Sequence, residues 1–132
     1  MSVAIDKKDI QNFSNEVKQV RATYDFANDG GLVSTIELME AKQDMVIYEA
    51  YTAVKTAATS GGAATVEIGT TADPNQILAS TAVASLTLNA VFDGEAASAR
   101  ARVAAGQKVN MIIGTAALTA GKIEVVLLVN KY

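Results

Sequence analysis

The spacing of apolar residues along the chain changes near residue 20. Residues 1–19 form a polar stretch in which apolar side chains recur at the spacing of one helix face, at Ile10, Phe13 and Val17. Beyond it, apolar and polar residues alternate, as they do in strands with one buried face. The pattern predicts an N-terminal arm or short helix over residues 1–19 and a β-domain over residues 20–132. The arm either frays as a terminus or becomes ordered on a neighbouring subunit.

Alternating segments separated by turn-forming residues predict a series of short strands. Their expected bounds are residues 20–26, 32–40, 45–55, 64–69, 85–92, 108–114 and 123–130. Residues 95–104 are rich in alanine but also alternate, so we expect a loop that leads into a strand. Short strands at this spacing are typical of an all-β antiparallel sandwich.

The stretch TSGGAATVEIGTTADPNQILAST, residues 59–81, combines glycines with the chain's only proline. Gly61 and Gly62 are expected at a loop tip, and Gly69 at a strand end. Asp is favoured at helix caps and Pro in the first helical turn, and here Asp73 precedes Pro74. We therefore expect one short helical insert through Ile77 that covers an open end of the sandwich.

The last predicted strand is apolar on both faces. Its even-numbered positions include Val126 and Leu128, opposite a continuous apolar row at odd positions. Strands of this kind are usually covered on both sides. We therefore take Val126 and Leu128, with the apolar residues of the arm, as candidates for an interface: Ile10, Phe13, Val17, Val126 and Leu128.

Composition narrows the classes of partner. The chain has 132 residues, of which 50% are hydrophobic and only 19% charged, with a net charge of −3. One globular domain with so little charge is expected to cover part of its surface with a partner. Nucleic acid is not expected, because phosphate binding requires clustered Lys and Arg. Neither a signal peptide nor a membrane span is expected, since the most apolar window, residues 123–129, is too short.

The residues that commonly carry chemistry are missing or scattered. Histidine and cysteine are absent, which removes the most common general base, metal ligand and thiol nucleophile. The segment GTAALTAGK, residues 114–122, has the wrong spacing for a phosphate loop. The acidic candidates for glycoside hydrolysis stand singly at outward strand positions: Glu37, Glu40, Glu49 and Glu67. Asp29 and Asp73 fit turns better than a calcium loop. We predict no catalytic, cofactor or metal site, and no enzyme.

Aromatic residues leave one binding alternative open. Tyr24, Tyr48, Tyr51 and Phe26 could form a carbohydrate-binding surface on a sandwich. Tyr48 and Tyr51 have opposite parity in one predicted strand, so they are expected on opposite faces. Packing in the core or at an interface is the simpler interpretation.

Two long stretches together resemble small structural proteins of tailed bacteriophages. The first is AYTAVKTAATSGGAATVEIGTTADPNQILAST and the second is VAAGQKVNMIIGTAALTAGKIEVVLLV, and the likeness covers about residues 30–130. The shared features are a strand ending near Val54, the loop at Gly61, a strand ending at Gly69, the turn at Asp73 and the segment 114–122. Residues 1–19 do not take part in the resemblance.

The resemblance implies a jelly-roll-like sandwich that acts as a capsid decoration or cement protein. Such a protein has no cofactor and no enzymatic activity, binds the major capsid protein, and is commonly a homotrimer at three-fold positions. It would be made in the host cytoplasm and would reside on the capsid surface of the virion. Two alternatives stay open: another virion component, such as a head fibre or a tail or baseplate adaptor, and a glycan-binding β-sandwich module.

Overall fold

Alternation of buried and exposed side chains divides the chain into strands. The computed structural model describes residues 17–94 and 101–131. Its strands are β1 (Lys18–Asp25), β2 (Ser34–Glu40), β3 (Met45–Ser60), β4 (Thr65–Thr70), β5 (Leu78–Ala82), β6 (Val91–Asp93), β7 (Ala101–Val103), β8 (Lys108–Gly114) and β9 (Leu118–Lys131). Between them lie one helical turn, α1 (Phe26–Asp29), and a 3₁₀ turn at Val83–Ser85. No helix among these residues is long and apolar enough to cross a membrane.

The strands pair as a long hairpin that is wrapped into two sheets. β1 pairs with β9, β2 with β8, β3 with β6 and β7, and β4 with β5, and every pair is antiparallel. Further pairing of β3 with β9 and of β4 with β8 completes the sheets. The five-stranded main sheet has the order β1-β9-β3 followed by β6 and β7, and the four-stranded sheet has the order β2-β8-β4-β5. This is the arrangement of a jelly-roll sandwich, so the predicted all-β fold is confirmed.

The core lies between the two sheets and is built by one face of each strand. On β9 the odd-numbered side chains point inward, and Ile123, Val125 and Leu127 have no exposed surface. Ile68 on β4 and Met111 on β8 face them from the other sheet and are also fully buried. Each large apolar side chain buried in this way stabilises the fold by roughly 1.5–3 kcal/mol.

The helical insert predicted after Asp73 is wrong. The Asp73 carbonyl accepts hydrogen bonds from the backbone N–H of Thr70 and of Gln76, which closes a turn. The backbone N–H of Ile77 then donates to the Ile68 carbonyl (2.9 Å), and Leu78–Ala82 continues as β5 beside β4. Pairing along β4 outweighs the local preference of Asp and Pro for a helix start. Ile77 is nevertheless buried (1% exposed) and closes that end of the core.

Other predicted bounds shift for local reasons. The first strand ends at Asp25 because its carboxylate accepts a hydrogen bond from the Ala27 N–H and caps α1. The last strand begins at Leu118, ahead of its predicted start at residue 123, and Ala120 and Gly121 lie in a bulged part of β9. The segment predicted as a strand over 85–92 is strand only from Val91.

Segments outside the described residues leave some predictions untested. The predicted arm is described only from Val17, and β1 begins at Lys18. Residues 95–100 are not described, whereas Ala101–Val103 forms β7, as expected for a loop that leads into a strand.

Candidate interaction surface on the main sheet

The outward side of the main sheet carries the predicted interface residues that the structure describes. β9 lies in the middle of this sheet, so its even-numbered side chains point away from the core. Val126 lies between Arg21 of β1 and Tyr51 of β3, and these neighbours leave it only 1% exposed. Leu128 lies between Gln19 and Glu49 and is half-buried.

A β-bulge changes the direction of a tyrosine in β3. Ile47 pairs with Val129 and Glu49 pairs with Leu128, so Tyr48 is an extra residue between two successive pairs. An extra residue interrupts the strict alternation of faces. Tyr48 therefore lines a shallow depression with Glu49 and Leu128, on the same side as Tyr51. The prediction that Tyr48 and Tyr51 point to opposite faces is wrong for this reason.

These side chains form a mainly apolar surface, which we call the tyrosine face. Its members are Val17, Tyr48, Tyr51, Val91, Val126 and Leu128. Four of them keep large exposed fractions: Val91 62%, Val17 46%, Tyr48 41% and Tyr51 37%. A depression of about 510 Å³ crosses the face between Tyr51, Val126 and Leu128. Exposed apolar surface of this extent, with aromatic residues at its centre, is typical of a site that contacts another molecule.

Ion pairs border the tyrosine face. Arg21 binds Glu124 at 2.7 Å, and Lys55 approaches the same carboxylate at 3.9 Å. At the other edge of the same sheet, Arg102 of β7, which pairs with Val46 of β3, binds Asp44 at 3.0 Å. A hydrogen bond from the Ala105 N–H is the main reason that the pKa of Asp44 is lowered, and Arg102 acts in the same direction. An apolar centre with a charged border is the usual anatomy of a protein interface.

The sequence identified part of this surface. Val17, Val126 and Leu128 are brought together on it, whereas Ile10 and Phe13 lie outside the described residues. Val126 contributes little accessible surface, because its neighbours already cover it. The sequence offered Tyr48 and Tyr51 for a carbohydrate-binding surface or for packing in the core or at an interface, but on opposite faces, and Val91 was missed. The bulge that turns Tyr48 outward has no sequence signal, since it arises from pairing with β9.

The acidic candidates are spread over both sheets. Glu37 binds Lys108 at 3.0 Å, and this carboxylate is the main reason that the pKa of Lys108 is raised. Glu40 lies 3.6 Å from Lys42, and Glu49 is on the main sheet. Asp29 accepts a hydrogen bond from the Asp25 N–H, which is a turn contact. Within residues 17–94 and 101–131, no three Asp or Glu side chains lie close enough together to hold a metal ion.

The fold is similar to that of chains found in phage capsids. A chain in the capsid of Ralstonia phage GP4 matches with a TM-score of 0.66 at 20% identity, over 89% of this chain and 85% of that one. A chain in the capsid asymmetric unit of cyanophage Pam1 has a TM-score of 0.66 at 12% identity, over 92% and 89%. A chain in the acid-stable capsid of Helicobacter pylori bacteriophage KHP30 has a TM-score of 0.62 at 11% identity, over 86% of each chain.

These likenesses establish a shared fold. No protein-family model matches the sequence, and no curated protein sequence matches it significantly.

Proposed function

We propose that the chain is a structural protein of a phage virion, a decoration or cement protein that binds the major capsid protein and stabilises the head shell. The observation that carries this proposal is the jelly-roll fold, which covers most of the chain and most of each phage capsid chain it resembles. The protein has no enzymatic role in this proposal. It is made in the host cytoplasm and resides on the capsid surface.

The tyrosine face supports self-association as part of this role. It joins exposed aromatic and aliphatic side chains to a charged border, and aromatic anchors contribute much of the binding energy in protein interfaces. We propose that three copies turn this face towards a common axis. Val17, at the edge of the face, is the first described residue of the predicted arm, so Ile10 and Phe13 earlier in the arm would extend the same contact.

The proposal is tested with heads of the phage that encodes the chain, assembled without this protein. We expect the purified chain to have the mass of a trimer by light scattering, to co-sediment with these heads and to raise their melting temperature. Leu128→Asp should give a monomer, because it replaces an apolar contact with a carboxylate directly opposite Glu49, and two neighbouring carboxylates would be desolvated together in the contact. Tyr48→Asp, at a 41% exposed position, repeats the test at lower risk of misfolding.

A matched control is available on the other sheet. Thr35 is exposed, and its partner in β8 is Ile112 on the outward side of the four-stranded sheet. Thr35→Asp adds the same charge and should leave the mass unchanged. A trimer that ignores the heads would instead indicate another virion component, such as a head fibre or a tail or baseplate adaptor.

A second candidate function is glycan binding. The bulge at Tyr48 favours it, because it brings two exposed tyrosines to one face of the sheet. A glycan module would be a monomer whose melting temperature rises with a particular sugar, and this rise would be lost in Tyr48→Ala. A trimer that binds heads and does not respond to sugars would eliminate this candidate.

A further inference from the structure

Among the described residues, the loops at one end of the sandwich carry a single charged side chain, Asp29. Four stretches of the sequence contain no Asp, Glu, Lys or Arg: residues 30–36, 56–66, 74–92 and 109–121. Each of them contributes a loop to the same end of the fold, between β1 and β2, β3 and β4, β5 and β6, or β8 and β9. We call this surface the charge-free end and define it by residues 31–33, 61–64, 83–85 and 115–117.

Direct contacts show that these loops are neighbours. The Leu118 N–H donates to the Gly31 carbonyl (2.7 Å), and the Ser60 hydroxyl donates to the Ala117 carbonyl (2.6 Å). The Val83 N–H donates to the Ala64 carbonyl (3.1 Å), which adds the fourth loop. The nearest charge along the chain, Asp29, is turned back to the Asp25 N–H beside β1.

The exposed side chains at this end are apolar or small. Leu32 is 75% exposed and Val33 is 55% exposed, which makes Leu32 the most exposed large apolar residue among those described. Around them stand exposed Ala63, Ala84 and Ala117. Large exposed apolar side chains next to uncharged loops mark a surface that becomes covered by a partner.

The opposite end of the sandwich has the contrary character. Its loops carry Lys42, Asp44 and Asp73, and the pairs Arg102–Asp44 and Lys42–Glu40 lie there. The two ends are built from the same strands, so the fold does not require one of them to lack charge. The difference therefore points to a function of the charge-free end.

The size of this surface indicates what covers it. Strands lie about 5 Å apart and packed sheets about 10 Å apart, and the outward side chains add about half the sheet spacing on either side, so an end three to four strands wide covers roughly 300–400 Å². A stable interface buries about 800 Å² on each partner. One charge-free end is too small to hold a second copy end to end, but three ends acting together exceed the requirement.

We propose that the charge-free end is the surface that docks on the head shell, with the three copies of a trimer binding an uncharged protein surface simultaneously. This inference rests on the proposed function and adds to it which part of the fold touches the shell. Because the three contacts of one trimer are linked, their combined affinity for the shell exceeds that of a single contact. This increase in affinity depends on the trimer remaining intact.

The test places a charge at the centre of the charge-free end. Leu32→Asp should fold and trimerise as the wild type does, because Leu32 is 75% exposed and lies far from the tyrosine face in the fold. Binding to heads assembled without this protein should fall roughly 100-fold, since each trimer would bring three unpaired carboxylates against the shell. Val33→Asp, at the adjacent exposed position, should do the same.

The matched control is Asn75→Asp at the charged end. Asn75 is exposed in the turn after Asp73, and the replacement keeps its shape while adding the same charge. We expect this control variant to bind heads as the wild type does.

Leu32→Asp and Val33→Asp proteins that bind normally would overturn the inference while leaving the proposed function intact. A wild-type mass of two trimers that falls to one in Leu32→Asp would also overturn it, because the end would then bind a second copy. Failure of the wild type to bind heads would overturn both proposals.

Discussion

At the scale of single residues, Tyr24 shows how local chemistry and burial combine. Its ring has no exposed surface, and its hydroxyl donates a hydrogen bond to the Gly30 carbonyl (2.6 Å). It thereby ties β1 to the glycine loop that follows α1. Burial, followed by the nearby carboxylates of Asp29 and Asp25, raises the pKa of Tyr24 to about 12.

This pKa predicts a loss of stability in alkali. An unfolded tyrosine releases its proton above about pH 10, whereas folded Tyr24 keeps its proton until about pH 12. Titration of Tyr24 therefore leaves the free energy of unfolding unchanged below about pH 10 and lowers it between these values, by up to about 1.4 kcal/mol per pH unit. Urea unfolding of the wild type and of Tyr24→Phe across this range measures the effect.

The difference between the two proteins isolates Tyr24 from the other titrating groups. Tyr24→Phe should be less stable by about 1 kcal/mol near neutral pH, because it lacks the hydrogen bond to Gly30. With a fall of up to about 1.4 kcal/mol per pH unit, that gap should close within about one unit above pH 10 and reverse before about pH 12. Parallel curves for the two proteins would show that Tyr24 does not titrate in this window.

At the scale of elements, a close approach between two backbone segments at Gly69 determines how β4 is connected to β5. Gly69 is the second-last residue of β4, just before the chain turns through Asp73 and Pro74. A methyl group on Gly69 would overlap the backbone of both residues. The turn therefore requires a residue without a side chain at position 69. β5 can pair with β4 only when this turn is made.

Replacing this glycine should damage the β4–β5 hairpin. We expect Gly69→Ala to lower the free energy of unfolding by about 3 kcal/mol, because the turn must move away from the added methyl group. Gly61→Ala is the control, since a methyl group there meets nothing within 4 Å, and its effect should stay within about 0.5 kcal/mol. Thermal and urea unfolding give both values. Equal stability of the two variants would contradict the close approach at Gly69.

At the scale of the whole molecule, the jelly-roll pairing creates surfaces that no single element contains. The tyrosine face combines β9, β3 and β6 with Val17, the residue before β1, and the charge-free end combines four loops from distant parts of the chain. The two surfaces are separate, so one protein can associate with itself through the first and with a shell through the second. Their separation is the reason that Leu128→Asp and Leu32→Asp should give different phenotypes.

The location of the core and of the tyrosine face predicts the effect of removing residues 1–16. The described residues contain a complete sandwich core and the tyrosine face, so the shortened chain should melt near the wild-type temperature and keep the trimer mass. Light scattering and thermal unfolding of both proteins test this. A monomeric shortened chain with an unchanged melting temperature would place the main self-contact in the arm, through Ile10 and Phe13.

The sequence by itself determined the fold class and most strand positions. Alternation with period two places side chains on opposite faces whatever the partner strand is, so β4 and β8 lie close to their predicted bounds. The apolar character of both faces of the last strand makes Val126 and Leu128 interface candidates, and β9 does lie between two other strands of the main sheet. Val17 is a candidate on separate grounds, the helical spacing of apolar residues in the arm.

Only the tertiary structure decided the rest. Tyr48 points outward because pairing with β9 inserts a bulge, and β5 replaces a helix because β4 offers a hydrogen-bonding edge. The charge-free end is visible in the sequence as four uncharged stretches, but their meeting at one end follows from the wrapped hairpin. Register and chain crossing depend on contacts between distant residues, whereas a periodic pattern reports only which side of a strand faces the core.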